Sequence, residues 1–131
     1  MPGCGYNPPR SSLANLKNLH DTLGICRVVF TQPSVYGIDN SAIMDGVAAL
    51  NTEQPGRARA VIACNLDISN QELADFDAAG VRGVRLNTDN KGGMPFGMDQ
   101  IPELAARIAP FGWHVEFLFP GRDILDLIPT F

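Results

Sequence analysis

Apolar residues along the chain recur alternately at helical and at strand-like spacing. Between Ser12 and Leu23, Leu13, Leu16, Leu19 and Leu23 form one helical stripe; Ser11 or Ser12 can cap its start and Gly24 can stop it. Arg27 to Gln32 is a short β-branched run, as in a buried strand. Helical spacing returns over Ser41 to Leu50 through Ile43, Met44, Val47 and Leu50, and Asn51 to Arg57, with Pro55 and Gly56, reads as a loop. Ala58 to Cys64 predicts the next strand. Ser69 and Glu72 have the spacing of a capping box ahead of a helix carrying Leu73 and Phe76 and ending at Gly80. Val81 to Asn87 is a third strand. After a loop with Gly92, Gly93, Pro95 and Gly97, Asp99 can cap a helix running through Ala109, with Pro102 tolerated in its first turn. Trp113 to Phe119 predicts a fourth strand, and Asp123 to Ile128 a short last helix.

The order is one helix followed by four strand–helix units. Alternation with short connections implies a parallel α/β sheet with right-handed crossovers. Either an open doubly wound sheet or part of an eight-fold barrel satisfies it. No Gly-x-Gly-x-x-Gly follows a strand and no Gly-Lys-Ser/Thr is present, so the sequence supports neither a dinucleotide site nor a Walker-type phosphate loop.

The 131 residues suit one domain; 45% are apolar and 18% charged, which argues against disorder by composition. A net charge of −4 offers no basic field for nucleic acid. No apolar run approaches the ~20 residues that span a bilayer, and Met1 to Arg10 lacks the apolar stretch of a secretory signal. Cys4, Cys26 and Cys64 are odd in number and not at metal-ligand spacing; Cys26 and Cys64 adjoin apolar runs and read as buried free thiols of a cytoplasmic protein.

In parallel α/β folds, ligands bind at the carboxyl ends of the strands. Those ends are polar here: Gln32-Pro33-Ser34-Val35-Tyr36-Gly37, Asn65-Leu66-Asp67, Arg85-Leu86-Asn87 and Phe119-Pro120. By strand alternation Arg85 and Asn87 share a face with Gly83. Arg85 suits a bidentate carboxylate contact or, equally, a structural pair with Glu116, which lies in an apolar strand and needs a partner if buried. Tyr36 reads either as a ligand-facing hydroxyl or as loop packing. His114, at the start of its strand, reads as packing, His20 as a surface residue, and Asp39-Asn40 as capping chemistry. Two separated histidines without an acidic cluster support no metal site, and Ser34 has no visible His–Asp partner for a triad.

Gln32-Pro33-Ser34-Val35-Tyr36-Gly37-Ile38-Asp39-Asn40, Gly80 to Asn87 and Gly112-Trp113-His114-Val115 together resemble the amidohydrolase-related family of TIM-barrel hydrolases, within the metal-dependent hydrolase superfamily. The nearest branch is that of the 2-pyrone-4,6-dicarboxylate and sugar lactonases. The resemblance runs from about Tyr6 to Phe131 and implies a single amidohydrolase-like domain over residues 1–131, a partial (β/α)8 barrel holding strands two to five of eight. It implies hydrolysis, or a related isomerisation, of a lactone or other carboxylate-bearing small molecule, with no cofactor assigned. By position, Ser34 and Arg85 match substrate-contacting residues, and Lys91 stands where the lactonase has a second arginine. Tyr36 and Asn87 complete the candidate substrate-binding set. Leu118 replaces a tyrosine. The family's His-x-His, its later histidine and its catalytic aspartate have no counterpart, so no catalytic residue is assigned. A partial barrel exposes two strand edges, which points to a homo-oligomer; a relaxed, flavodoxin-like open sheet is the other possible outcome. A non-catalytic carboxylate-binding or oligomerising module is the alternative function.

Overall fold

The computed structural model describes residue 9 and residues 11–87, 97–121 and 124–128, with the side chains of residues 126 and 127 outside that description. Helix α1 (Leu13–Leu23) is followed by β1 (Val28–Thr31), α2 (Ser41–Glu53), β2 (Ala58–Ile62), α3 (Asn70–Ala79), β3 (Val81–Asn87), α4 (Ile101–Ile108), β4 (His114–Leu118) and α5 (Ile124–Leu127). A 3-10 turn, Ser34–Tyr36, separates β1 from α2, and two more flank α4, at Met98–Gln100 and Ala109–Phe111.

The four strands are parallel and lie in the order β1-β2-β3-β4. An open doubly wound sheet reverses its strand order at a switch point and carries helices on both faces. Among the described residues the strand order does not reverse, and α2, α3 and α4 pack together. Ile43, Val47 and Leu50 of α2, Leu73 of α3, and Ile101, Leu104 and Ile108 of α4 form one buried cluster with Ala58, Ala60 and Ile62 of β2 and Val84 and Leu86 of β3. These helices therefore cover a single face, as they do on the outside of a barrel wall. The opposite face carries Val29, Thr31, Val61, Arg85, Glu116 and Leu118 by alternation. Val29 is 56% exposed and Leu118 46%.

One irregularity refines the alternation. The β2–β3 register passes from Ala60↔Val81 to Val61↔Gly83, so Arg82 is an extra residue on β3. The bulge turns Val81 into the helix-side core, where plain alternation would have put it on the face of Arg85. Arg82 reaches α3 and pairs with Asp77 at 3.0 Å, and Trp113 Nε1 donates to the same carboxylate at 2.9 Å.

The capping box of α3 forms as its spacing predicts: the Glu72 N–H donates to Ser69 Oγ at 3.1 Å, and the Ser69 N–H donates to the Glu72 carboxylate at 2.7 Å. Ser12 caps α1 through the Asn15 N–H at 3.2 Å. Four expectations are corrected. In α1, Leu19 and Leu23 are exposed and His20 is buried, at 4% exposure. At 3.6 residues per turn His20 stands only about 20° from Leu13 around the helix, whereas Leu19 stands about 120° away, so the buried stripe runs through Leu13, Leu16 and His20. Cys26 is exposed, because it precedes β1 and lies outside the sheet; Cys64 is buried. Asp99 does not cap a helix from its own position: it lies within the turn Met98–Gln100, and α4 begins after it. His114 is not packed away but exposed, with Nε2 3.5 Å from Glu116 Oε1.

Candidate functional site

Strands β1 and β3 end on either side of β2 at the carboxyl edge of the sheet. Arg85 extends across the intervening β2, and its Nη1 donates to the backbone carbonyl of Gln32 at 2.8 Å and to Ser34 Oγ at 3.2 Å. Asn87 Nδ2 donates to the same Ser34 Oγ at 2.6 Å. Ser34, Arg85 and Asn87 are thus brought together as three members of one cluster. Asn87 is buried, at 2% exposure; Ser34 and Arg85 are half-buried. Only Nη1 of Arg85 bonds to a described residue. Its Nε and Nη2 keep donor capacity in the planar geometry that matches a carboxylate.

Arg85 and Glu116 are register partners on neighbouring strands, yet they form no ion pair. Glu116 is half-buried, so part of its charge is met by water, and its described partner is His114. The guanidinium turns instead towards the strand ends, where a carbonyl and a hydroxyl hold it.

The loop that supplies Ser34 is fixed by a residue that sequence reasoning left out of the site. Gln32 is 1% exposed; its Nε2 donates to the carbonyls of Gly37 at 3.1 Å and Asp39 at 2.7 Å, and its own N–H donates to Val61 at 2.9 Å. Gln32 therefore ties down both ends of the turn while its carbonyl receives Arg85. The available signal was a long amide directly after a β-branched run and before Pro33. Gly37 closes the turn at φ 56°, ψ −126°, where a β-carbon is strained. Tyr36 is half-buried on this turn, and its backbone N–H donates to Pro33 at 3.1 Å.

Asn40 precedes α2 but does not cap it with its side chain. It is buried, and it accepts from the Ala63 N–H at 3.0 Å while donating to the Ala63 carbonyl at 2.8 Å and to Ile38 at 3.0 Å. This amide joins the start of α2 to the end of β2. The capping role passes to Asp39, whose Oδ1 accepts from the Ser41 N–H at 3.1 Å. Hydrogen bonds from Ser41 hold that carboxyl below its ordinary range.

On the neighbouring strand end, Cys64 is buried, and burial pushes its thiol up to about 11. It stays protonated at neutral pH and is not an activated nucleophile. Arg107 of α4 donates to the carbonyls of Leu66 and Ile68, fixing the loop after β2. Lys91 lies outside the described residues, as do Gly92, Gly93 and Pro95. Among the described residues no group of three or more His, Cys, Asp or Glu side chains could hold a metal ion. No described histidine or carboxylate bonds to Arg85 or Ser34.

Comparison with known proteins gives this geometry a family. The chain is 38% identical to the 2-pyrone-4,6-dicarboxylate hydrolase of Comamonas testosteroni over 122 residues, 93% of this chain and 39% of that protein. It is 39% identical over 80 residues to the 4-sulfomuconolactone hydrolase of Rhizobium radiobacter, covering 61% of this chain and 25% of that one. The D-galactarolactone isomerase of Agrobacterium fabrum is 28% identical over 98% of this chain and 43% of its own. In fold, the chain superposes on an apo crystal structure from Agrobacterium tumefaciens with TM-score 0.83 at 27% identity, covering 99% of this chain and 46% of that one. The probable 2-pyrone-4,6-dicarboxylic acid hydrolase of Acinetobacter baumannii, solved with citric acid bound, superposes with TM-score 0.82 at 21% identity, over 99% of this chain and 48% of its own. The chain thus spans less than half the length of these relatives, and its open four-stranded sheet is part of a barrel wall. The family model described as Amidohydrolase matches residues 1–131, and the chain belongs to that family.

Proposed function

We propose that this chain carries the substrate-carboxylate wall of a lactone hydrolase, with Arg85 as the anchoring cation and Ser34, Asn87 and Tyr36 shaping the pocket around it. The observation that carries the reading is the Arg85 guanidinium, fixed through Nη1 by Gln32 and Ser34 while Nε and Nη2 remain without a described acceptor. Such a pre-oriented fork suits a carboxylate and costs little ordering entropy when the ligand arrives. The relatives named as hydrolases of 2-pyrone-4,6-dicarboxylate and of 4-sulfomuconolactone support a lactone substrate carrying an anionic group. The reaction is addition of water to the lactone carbonyl and cleavage of the ring acyl C–O bond, which gives a new carboxylate and releases the ring oxygen as a hydroxyl. Arg85 holds the substrate's existing carboxylate, and Ser34 and Asn87 fix the position of the guanidinium. The base that takes the water proton is not among the described residues bonded to Arg85 or Ser34. The reading therefore assigns binding to this wall and leaves proton transfer to other groups. The described sheet has β1 and β4 as its outer strands, and such edges favour a homo-oligomer; the free Cys64 thiol fits a reducing, cytoplasmic setting.

The test follows the ultraviolet absorbance of 2-pyrone-4,6-dicarboxylate in the presence of the folded chain. Decay above the buffer rate that disappears in Arg85→Ala supports hydrolysis at this site. Saturable binding without decay supports a carboxylate-binding module with the same anchor. Absence of both, from folded protein, sinks the reading.

A further inference from the structure

A second cationic site lies at the opposite end of the same strands. Arg27 immediately precedes β1, Arg57 immediately precedes β2, and Arg59 is the second residue of β2. Strand pairing brings them together: the Val28 N–H donates to the Arg57 carbonyl at 2.9 Å, and the turn is closed by the Arg57 N–H on the Gln54 carbonyl at 3.1 Å. The three arginines line a cleft of about 480 Å³ with Cys26 and the Gln54–Gly56 turn.

No ion pair among the described residues closes the charge in this cleft. The described ion pairs are Lys17–Glu53, Arg82–Asp77 and His114–Glu116, and none includes Arg27, Arg57 or Arg59. Glu53 feels the field of Arg57, but it is already closed by Lys17 at 2.7 Å. Arg59 Nη1 donates to the Ala58 carbonyl at 2.9 Å, which holds its guanidinium at the cleft. The Nε–H of Arg57 is buried, with no acceptor among the described residues. A buried guanidinium donor without a partner adds to the cost of holding the Arg57 cation at this place, and a nearby anion offsets that cost electrostatically. In a chain of net charge −4, three guanidiniums outside the described ion pairs at one place are a concentrated exception.

We propose that this cleft binds a multivalent oxyanion, such as the phosphate groups of a phosphorylated metabolite or a polycarboxylate. It is separate from the Arg85 wall, since the two lie at opposite ends of the sheet. An anion here ties the Gln54–Arg57 turn to the start of β1 through guanidinium forks, without taking part in chemistry at the carboxyl ends.

The test is a titration of the isotopically labelled full chain by nuclear magnetic resonance, with pyrophosphate and with citrate in separate arms and sodium chloride of matched ionic strength as reference. Saturable shifts centred on Cys26, Gly56, Arg57 and Arg59 with either anion support the site, and the arm that saturates at lower concentration identifies phosphate or carboxylate as its preferred chemistry. Arg57→Gln combined with Arg59→Gln is expected to weaken binding by at least about tenfold. Arg27→Gln, an exposed change that cannot disturb the core, is expected to weaken it several-fold at unchanged melting temperature. Shifts no larger than those caused by chloride, shifts confined to Ser34, Arg85 and Asn87, or full affinity in Arg27→Gln together with the double variant would overturn the proposal.

Discussion

Asn87 and Ser34 are 53 residues apart in sequence, yet the Asn87 amide donates to the Ser34 hydroxyl over 2.6 Å, a contact that fastens the end of β3 to the loop after β1. The same oxygen accepts from Arg85, so one hydroxyl serves two donors. Ser34→Ala removes an acceptor from both. It is expected to cost about 1–2 kcal/mol in denaturant unfolding and to broaden the resonances of the Gln32–Asp39 turn. Unchanged stability with an unchanged turn would mean that other groups hold it.

Substitution of Arg85 separates charge from geometry. Arg85→Ala is expected to weaken binding of a carboxylate ligand by about 1.5–3 kcal/mol. Arg85→Lys restores the charge but not the planar fork, so it is expected to recover only part of that loss. Isothermal calorimetry with 2-pyrone-4,6-dicarboxylate checks both. Full recovery by lysine would show that a point charge suffices.

Asn40 is expected to matter for stability more than a residue at a helix start ordinarily does. Asn40→Ala leaves the buried N–H and carbonyl of Ala63 without their partner and is expected to cost about 2–4 kcal/mol. A capping residue alone would cost about 1 kcal/mol. Urea unfolding distinguishes these values.

Gly83 is required by close approach. A β-carbon there would lie 2.8 Å from the His114 carbonyl oxygen and 2.9 Å from its imidazole. Because part of the obstruction is the backbone of β4, Gly83→Ala cannot be relieved by a rotamer change alone. It is expected to destabilise the chain by about 1–3 kcal/mol, with amide exchange increasing along β4 more than along β1.

The two described thiols are expected to differ in reactivity. Cys26 is exposed and should be alkylated by iodoacetamide near neutral pH, whereas Cys64 should resist until the chain unfolds; peptide mapping reads the two separately. Burial raises Cys64 from an ordinary 9.0 to about 11, so the folded state holds the thiol proton more tightly than the unfolded state. That contribution to stability is complete below about pH 9 and is lost as pH rises towards about 11. The loss should be smaller in Cys64→Ala over the same window.

The element order and the parallel sheet were legible because each strand is a compact apolar run and each helix carries its own stripe. The contact between Arg85 and Ser34 was only partly legible: alternation gave the face of Arg85, but the partners it suggested were a ligand carboxylate or Glu116, and not a loop hydroxyl. Which one wins depends on which way a long side chain leans along the strand, and local sequence does not encode that. Gln32 and Asn40 were harder still, since their bonding groups are backbone carbonyls and N–H groups that every residue offers. In α1, four leucines drew the stripe away from His20, whose angular position beside Leu13 makes it the buried residue.

The neighbour-only strand order has a kinetic consequence. Every ladder joins segments only about 20–30 residues apart, so each loop closes at similar and modest entropic cost. A strand emerging during synthesis finds its partner already present on one side, with the helix between them ready to cover the new pair. The sheet can therefore grow in one direction, each unit templating the next, without awaiting contacts between its distant ends. An early disturbance in the β1–β2 pair should be felt by all later additions, whereas one in β4 should leave the first two units able to form.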